Sequence, residues 1–101
     1  MDAFAVVADP TRRRILDTLR DADRDVGELV VQLDISQSLA SKHLAVLRNA
    51  GAVDVRVDGK RRIYRLADDP LPAVLAWVTP YHRKWSMSLD RLADLIEEEQ
   101  S

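Results

Sequence analysis

The first half of the chain places apolar residues at the three- and four-residue spacing of helices. A short apolar-rich segment over residues 2–8 is followed by a second predicted helix that buries Ile15, Leu16 and Leu19. A third predicted helix runs from Val26 to about Leu33 and has one apolar face of its own. The pattern therefore predicts a series of amphipathic helices that share one core.

Capping residues indicate where these helices begin and end. Asp9 stands before Pro10, an arrangement typical of a helix start. Asp25 can cap the third helix and Ser36 a fourth one, because both side chains can accept from free backbone N–H groups of the first turn. Gly51 is placed to end the fourth helix in a left-handed conformation. The fourth helix is thus predicted between Ser36 and Gly51.

The two faces of this fourth helix differ in chemistry. One face is apolar, at Ala40, Leu44 and Leu47. The other carries short hydrogen-bonding groups and one cation, at Gln37, Ser38, Ser41 and Lys42. Such a face suits close approach to base edges and phosphates. A turn over residues 34–36 joins it to the third helix, which matches a helix-turn-helix, although a helix hairpin in any small bundle would look similar.

A strand-like alternation of apolar and charged residues follows, over residues 53–58. Asp58 and Gly59 predict a two-residue hairpin turn, and the return strand is predicted from Lys60 to Leu66. This turn would pair Val53 with Tyr64 and Val55 with Arg62.

The same register would place Arg56 directly opposite Arg61, and such a pair of like charges destabilises a hairpin. A polyanion on that face would remove the conflict. With Lys60, Arg61 and Arg62 near the tip, the hairpin is interpreted as a basic wing. The alternative is a soluble hairpin whose arginine stems cover apolar surface.

The last third of the chain is predicted to form helices over about residues 70–98. Asp69 and Pro70 mark the start, and Pro80 either kinks the helix or begins a new one with Thr79 as its cap. Large side chains recur at heptad-like spacing, which predicts a dimer seam. Phe4 of the N-terminal segment and Tyr81 beside the seam are added to this predicted interface. Its residues are Phe4, Leu75, Val78, Tyr81, Trp85, Leu89, Leu92 and Ile96. Packing within one chain is the alternative for residues 71–78.

Composition narrows the function classes. A chain of 101 residues suggests one domain, and the lack of cysteine excludes disulfides and cysteine catalysis. No apolar run reaches membrane-span length and no signal peptide opens the chain, so a cytoplasmic location is expected. No glycine-rich phosphate loop and no serine with a plausible histidine base are present, so an enzyme is not expected.

The net charge of −2 is unevenly distributed. Residues 1–35 hold five arginines against eight acidic residues, and residues 66–101 hold three basic against seven acidic residues. Residues 36–65 hold seven basic residues against two acidic ones. The basic block coincides with the fourth helix and the wing, which favours a localised anion-binding surface.

Three runs of the chain, DPTRRRIL, SQSLASKHLAVLRNAGAV and VRVDGKRRIYRL, resemble the ArsR/SmtB family of bacterial repressors over residues 2–66. The resemblance implies a mainly α fold with a β-hairpin wing, a winged helix-turn-helix that dimerises through its N- and C-terminal helices. It implies a homodimer that binds double-stranded operator DNA and blocks transcription. By position it assigns DNA contacts to Gln37, Ser38, Ser41 and Lys42, and to the wing residues Arg56, Lys60, Arg61 and Arg62.

Metal sensing, common among such relatives, is not expected. The usual thiolates are absent near Leu29 to Leu33, and the last helix offers only His82, which is poor zinc geometry. The chain therefore resembles the metal-independent branch, with no cofactor. One departure is Asp34, at a turn position where the family usually has glycine, and Asp tolerates the positive φ expected there.

Some assignments remain open at this level. Arg12, Arg13 and Arg14 could contact phosphate but fit better as solvated or as partners of nearby aspartates, and His43 fits best as a packed residue. The leading function is a sequence-specific repressor. The alternatives are a winged-helix module that docks an acidic protein, and a repressor released by an unknown small apolar molecule. That ligand would bind among Phe4, Trp77, Tyr81 and Trp85.

Overall fold

The computed structural model describes residues 1–100 as five helices and three strands. In chain order they are α1 (Ala3–Ala8), α2 (Pro10–Asp21), β1 (Arg24–Asp25), α3 (Val26–Leu33), α4 (Gln37–Asn49), β2 (Val53–Asp58), β3 (Arg61–Leu66) and α5 (Pro72–Gln100). The strands form one antiparallel sheet in the order β1-β3-β2. The chain divides into two compact units, Met1–Leu71 and the remainder from Pro72. None of the described helices is long and apolar enough to cross a membrane.

The core lies in the first unit and is built from one face of each of the helices α1 to α4. Its largest fully buried side chains include Ile15 of α2, Leu29 of α3, and Leu44 and Leu47 of α4. The hairpin closes the core with buried Val53 and Tyr64. Because the buried positions follow the helical spacing of the sequence, the apolar faces predicted for α2, α3 and α4 are confirmed.

The predicted caps are also present. Asp9 accepts hydrogen bonds from the N–H groups of Thr11 and Arg12 at 2.8 and 3.0 Å, and Ser36 Oγ accepts from Leu39 N–H at 3.1 Å. Asp34 has φ 53° and Gly51 has φ 78°, the left-handed conformations expected at these positions. Short-range hydrogen bonding therefore fixes the ends of the helices.

The predicted hairpin register is wrong. Asp58 pairs with Arg61, so the turn residues are Gly59 and Lys60, and Val55 faces Tyr64. The positive φ of 63° at Gly59 suits the first central position of a two-residue turn. The return strand is shifted by two residues, so every side chain keeps its face while its partner changes.

The shift also removes the predicted conflict of charges. Arg56 lies opposite Ile63 and not opposite Arg61. Opposite charges are paired instead. Asp58 lies opposite Arg61, and Asp54 forms an ion pair with the arginine opposite it on β3. The repulsion that was used to argue for a bound polyanion therefore does not exist in this hairpin.

The short strand β1, Arg24–Asp25, follows α2 after its end at Asp21, and the pattern of apolar residues did not predict it. Arg24 pairs with Tyr64 and Asp25 with Ile63, both in β3. A two-residue strand carries no alternation of its own. Its pairing depends on a strand about 40 positions away, so no local pattern could indicate it.

The three consecutive arginines bind backbone carbonyls, which differs from both sequence interpretations. Arg12 donates to the carbonyls of Ala5 and Val6 at 2.9 and 2.7 Å. Arg13 donates to carbonyls at the end of α1, and Arg14 to the Leu33 carbonyl at 3.1 Å. The last carbonyls of a helix have no partner within the helix, so these side chains satisfy the ends of α1 and α3.

The predicted start of the C-terminal helix at Asp69–Pro70 is wrong, because α5 begins at Pro72. Of the two alternatives predicted at Pro80, a kink or a new helix, the new helix is wrong, because α5 continues through Pro80. Leu71 precedes a proline, which disfavours the helical conformation at Leu71, whereas Pro72 suits the first helical position. Thr79 does not cap a new helix; its hydroxyl donates to the Leu75 carbonyl one turn earlier. Many large apolar side chains of α5 are exposed, among them Leu75, Trp85 and Leu92.

Candidate nucleic-acid interface

The orientation of α4 is fixed by its buried side. Ala40, Leu44 and Leu47 are fully buried in the core. The four residues predicted to contact DNA from this helix are all exposed: Gln37, Ser38, Ser41 and Lys42. Because the helix cannot rotate without exposing its apolar face, its short polar side chains are held in a fixed outward direction.

A groove separates α4 from the strand β3 of the wing. Near the C-terminal half of α4 its lining includes Ser41, Ala45 and Tyr64. Near the wing tip it is lined by Lys60 and Arg61 together with the start of α3. Gln37 and Arg62 line both parts. Five of the eight predicted contact residues are therefore brought together along one groove, whereas Ser38, Lys42 and Arg56 are not among its lining residues.

The polar residues that line the groove near the end of α4 were missed at the sequence level: Arg48, Asn49 and Tyr64. Arg48 and Asn49 continue the face of Gln37 and Ser41 along the helix, at seven and eight residues after Ser41. Extending the helical spacing to the end of α4 would have identified both. Tyr64 could not be found this way, because its position depends on the hairpin register.

Two wing arginines are bound by carboxylates. Arg61 Nε donates to Asp25 Oδ2 at 2.8 Å and its Nη2 donates to Glu28 Oε1 at 3.1 Å. Arg56 Nη1 donates to Asp23 Oδ2 at 2.9 Å. In contrast, neither Lys60 nor Arg62 forms an ion pair within residues 1–100.

These contacts affect the acid–base behaviour of the wing. The N–H of Glu28, followed by the side chain of Arg61, lowers the pKa of Asp25. The same ion pair raises the pKa of Arg61. Both groups therefore carry full charge at neutral pH, and the positive charge of Arg61 is already balanced by its own chain.

His43 lies at the buried edge of α4, as predicted. Its Nδ1 lies 3.4 Å from Arg12 Nη1, and its Nε2 lies 3.9 Å from Asp9 Oδ1. Its side chain is only 12% exposed. His43 therefore connects α4 to the start of α2 and is not part of the groove. In the described part of the chain, no three His, Asp or Glu side chains gather in a geometry that could hold a metal ion.

Comparison with known proteins agrees with this arrangement. Residues 9–55 match the model of the family described as bacterial regulatory protein, arsR family. The chain is 38% identical over 97 residues to an HTH-type transcriptional regulator of Mycobacterium tuberculosis, covering 96% of this chain and 88% of the relative. It is 46% identical over 63 residues to the biofilm growth-associated repressor of Agrobacterium fabrum, covering 62% of this chain and 54% of that repressor.

A solved structure shows the same fold. The homodimeric winged helix-turn-helix DNA-binding domain from Mycobacterium bovis superposes with a TM-score of 0.66 at 27% identity, covering 81% of this chain and 76% of that one. The predicted fold class, mainly α with a β-hairpin wing, is confirmed. With its helix-turn-helix, its wing and these relatives, the chain belongs to the ArsR family of bacterial regulatory proteins, which are DNA-binding transcriptional regulators and not enzymes.

Proposed function

We propose that this protein is a transcriptional repressor that reads an operator with the outward face of α4. The observation that carries the proposal is the exposed set of Gln37, Ser38, Ser41 and Lys42 on a helix whose other side is fully buried. Amide and hydroxyl groups can pair with base edges in the major groove, which a helix of this size can enter. The Agrobacterium relative, named as a repressor, supports repression as the outcome.

Positive charge on the wing would bind the phosphate backbone beside the recognition helix. Lys60 and Arg62 lie in the groove that faces α4 and form no ion pair with the rest of the described chain. Phosphate contacts fix the position of a protein on DNA without reading sequence. We therefore assign base reading to α4 and backbone binding to these two cations, while Arg56 and Arg61 are paired with carboxylates of their own chain.

A homodimer would supply two recognition helices. Exposed residues recur along α5 at alternating three- and four-residue steps: Leu75, Val78, His82, Trp85, Leu89, Leu92 and Ile96. Tyr81 flanks this seam, and Phe4 of α1 is 44% exposed and stays in the proposed interface. The homodimeric Mycobacterium bovis relative supports this assembly. Two copies related by a two-fold axis would bind an inverted repeat in the cytoplasm, where the bacterial chromosome lies.

The test begins with footprinting of the DNA upstream of the gene for this protein, to find an operator. Gln37→Ala should then weaken operator binding by about 1–3 kcal/mol and leave binding to random DNA unchanged, because base contacts carry sequence preference. Gln32→Ala is the matched control, since Gln32 is an exposed glutamine of α3 outside the groove. Equal weakening of operator and random DNA by Gln37→Ala would contradict base reading. No binding to either DNA would favour an acidic protein partner instead.

A further inference from the structure

The wing is attached to the start of α3 by two ion pairs of Arg61. We propose that Asp25 and Glu28 position the wing by binding Arg61, so that Arg61 anchors the wing and does not contact phosphate. The inference rests on the proposed DNA-binding function. It divides the wing cations into one positioning residue and the two phosphate-binding residues assigned above.

The two carboxylates are organised before Arg61 binds them. Asp25 Oδ1 accepts from the N–H of Glu28 at 2.8 Å, and Glu28 Oε1 accepts from the N–H of Asp25 at 3.1 Å. This reciprocal capping box holds both side chains in place at the start of α3. Arg61 then uses the second oxygen of Asp25 and shares Oε1 of Glu28. A planar guanidinium can bind both acceptors at once, which a single ammonium group cannot do in the same geometry.

Backbone pairing reinforces the same attachment. Asp25 lies opposite Ile63 in the sheet, two residues beyond Arg61. The wing is therefore fixed to α3 by a strand pair and an adjacent ion pair. Since α3 leads into α4 through the three-residue turn 34–36, the position of the wing relative to the recognition helix depends on this contact.

Arg61 also differs from its sequence neighbours in the charges that surround it. Two carboxylates lie within 3.1 Å of its guanidinium, and they would repel a phosphate at the same place. Lys60 and Arg62, on either side of it in the sequence, form no ion pair in the described chain. The carboxylates therefore bind Arg61 and leave Lys60 and Arg62 available to bind DNA.

The first test uses Asp25→Asn in the full chain. Asparagine keeps the helix cap but loses the charge, so the start of α3 is preserved. Removing an acidic charge near DNA would tighten all DNA binding if charge alone mattered. Anchoring predicts the opposite for the operator, about three- to tenfold weaker binding, with random DNA unaffected or bound more tightly. Asp54→Asn is the control, because Asp54 pairs with Arg65 within the hairpin and has no ion pair with α3.

The second test asks whether Arg61 contacts phosphate. Arg61→Lys keeps a cation that can bind phosphate but cannot bridge the two carboxylates, so operator binding should fall as it does in Arg61→Ala. On random DNA both variants should keep the slope of log affinity against log salt, whereas Arg62→Ala should reduce that slope by about one unit.

Wild-type operator binding by Arg61→Lys, or tighter operator binding by Asp25→Asn, would overturn the inference. If Gln37→Ala and Arg62→Ala also left DNA binding unchanged, the proposed function itself would fail. The two failures are therefore distinguishable with one set of variants.

Discussion

Asp25 uses its two carboxylate oxygens for different tasks. One oxygen accepts from the backbone at the start of α3, and the other accepts from Arg61 of the wing. Asp9 has a comparable position, because it accepts from two N–H groups of α2 and lies 3.9 Å from His43 of α4. Single aspartates therefore join a helix start to a neighbouring element of the fold.

Both aspartates should make the fold sensitive to acid. The N–H of Arg12 is the main cause that lowers the pKa of Asp9, and the N–H of Glu28 is the main cause for Asp25. A carboxyl with a lowered pKa in the folded state stabilises the fold above its unfolded value of about 4. That stabilisation is lost as the pH falls below this value and through the lowered pKa.

We therefore expect the free energy of unfolding to decrease from about pH 4 downward, as measured by urea denaturation at a series of pH values. Asp25→Asn should show a smaller decrease than the wild type, because asparagine does not titrate. An identical pH dependence in the two proteins would show that Asp25 is not one of the groups responsible.

At the scale of elements, the hairpin turn depends on glycine. Gly59 has φ 63°, a conformation that costs a residue with a Cβ about 1 kcal/mol, although a Cβ there would meet no other atom. Gly27 lies inside α3, where alanine is preferred to glycine by about 1 kcal/mol. The same substitution should therefore have opposite effects at the two positions.

We expect Gly59→Ala to lower the free energy of unfolding by about 1 kcal/mol and Gly27→Ala to leave it unchanged or raise it by up to about 1 kcal/mol. Chemical denaturation of both variants beside the wild type gives the comparison. Equal destabilisation by the two substitutions would contradict the turn assignment.

The elements differ in how well the sequence predicts them. Helix starts at Asp9, Asp25 and Ser36 were predicted because capping depends on residues within one turn. The hairpin register was predicted wrongly, because either Asp58–Gly59 or Gly59–Lys60 can form a two-residue turn with a glycine at positive φ. Both registers keep every side chain on the same face of the sheet, so the alternation of apolar and charged residues does not distinguish them.

The sequence likewise predicts only part of the candidate site. The outward face of α4 follows from its spacing alone, so Gln37 and Ser41 were identified correctly as exposed. The partners of the arginines could not be predicted, because the carboxylates that bind Arg61 lie more than 30 residues away in the sequence. Arg14 likewise depends on the distant Leu33 carbonyl.

At the scale of the whole molecule, α5 has 29 residues and forms a unit without a core of its own. A single helix with exposed side chains at heptad-like spacing is stabilised when a second helix covers them. This supports the proposed homodimer. The seam can be tested with two substitutions on opposite sides of the same helix.

Leu89→Glu should dissociate the homodimer at micromolar concentration, because it places a charge inside the seam. Met87→Glu is the control, since Met87 is equally apolar and 58% exposed but lies on the other side of α5. Sedimentation velocity would measure both. A dimer that persists in Leu89→Glu, or a monomer in Met87→Glu, would contradict the assigned seam. Operator affinity should fall only with dissociation.

Every described residue that is buried in the core lies before Leu71. The buried residues that hold the recognition helix in place therefore all belong to the first unit. In the proposed homodimer, substitutions in α5 can therefore change which chains pair with each other while the DNA-reading residues stay the same. Duplicated copies of such a gene could thereby stop forming mixed dimers before their operators differ.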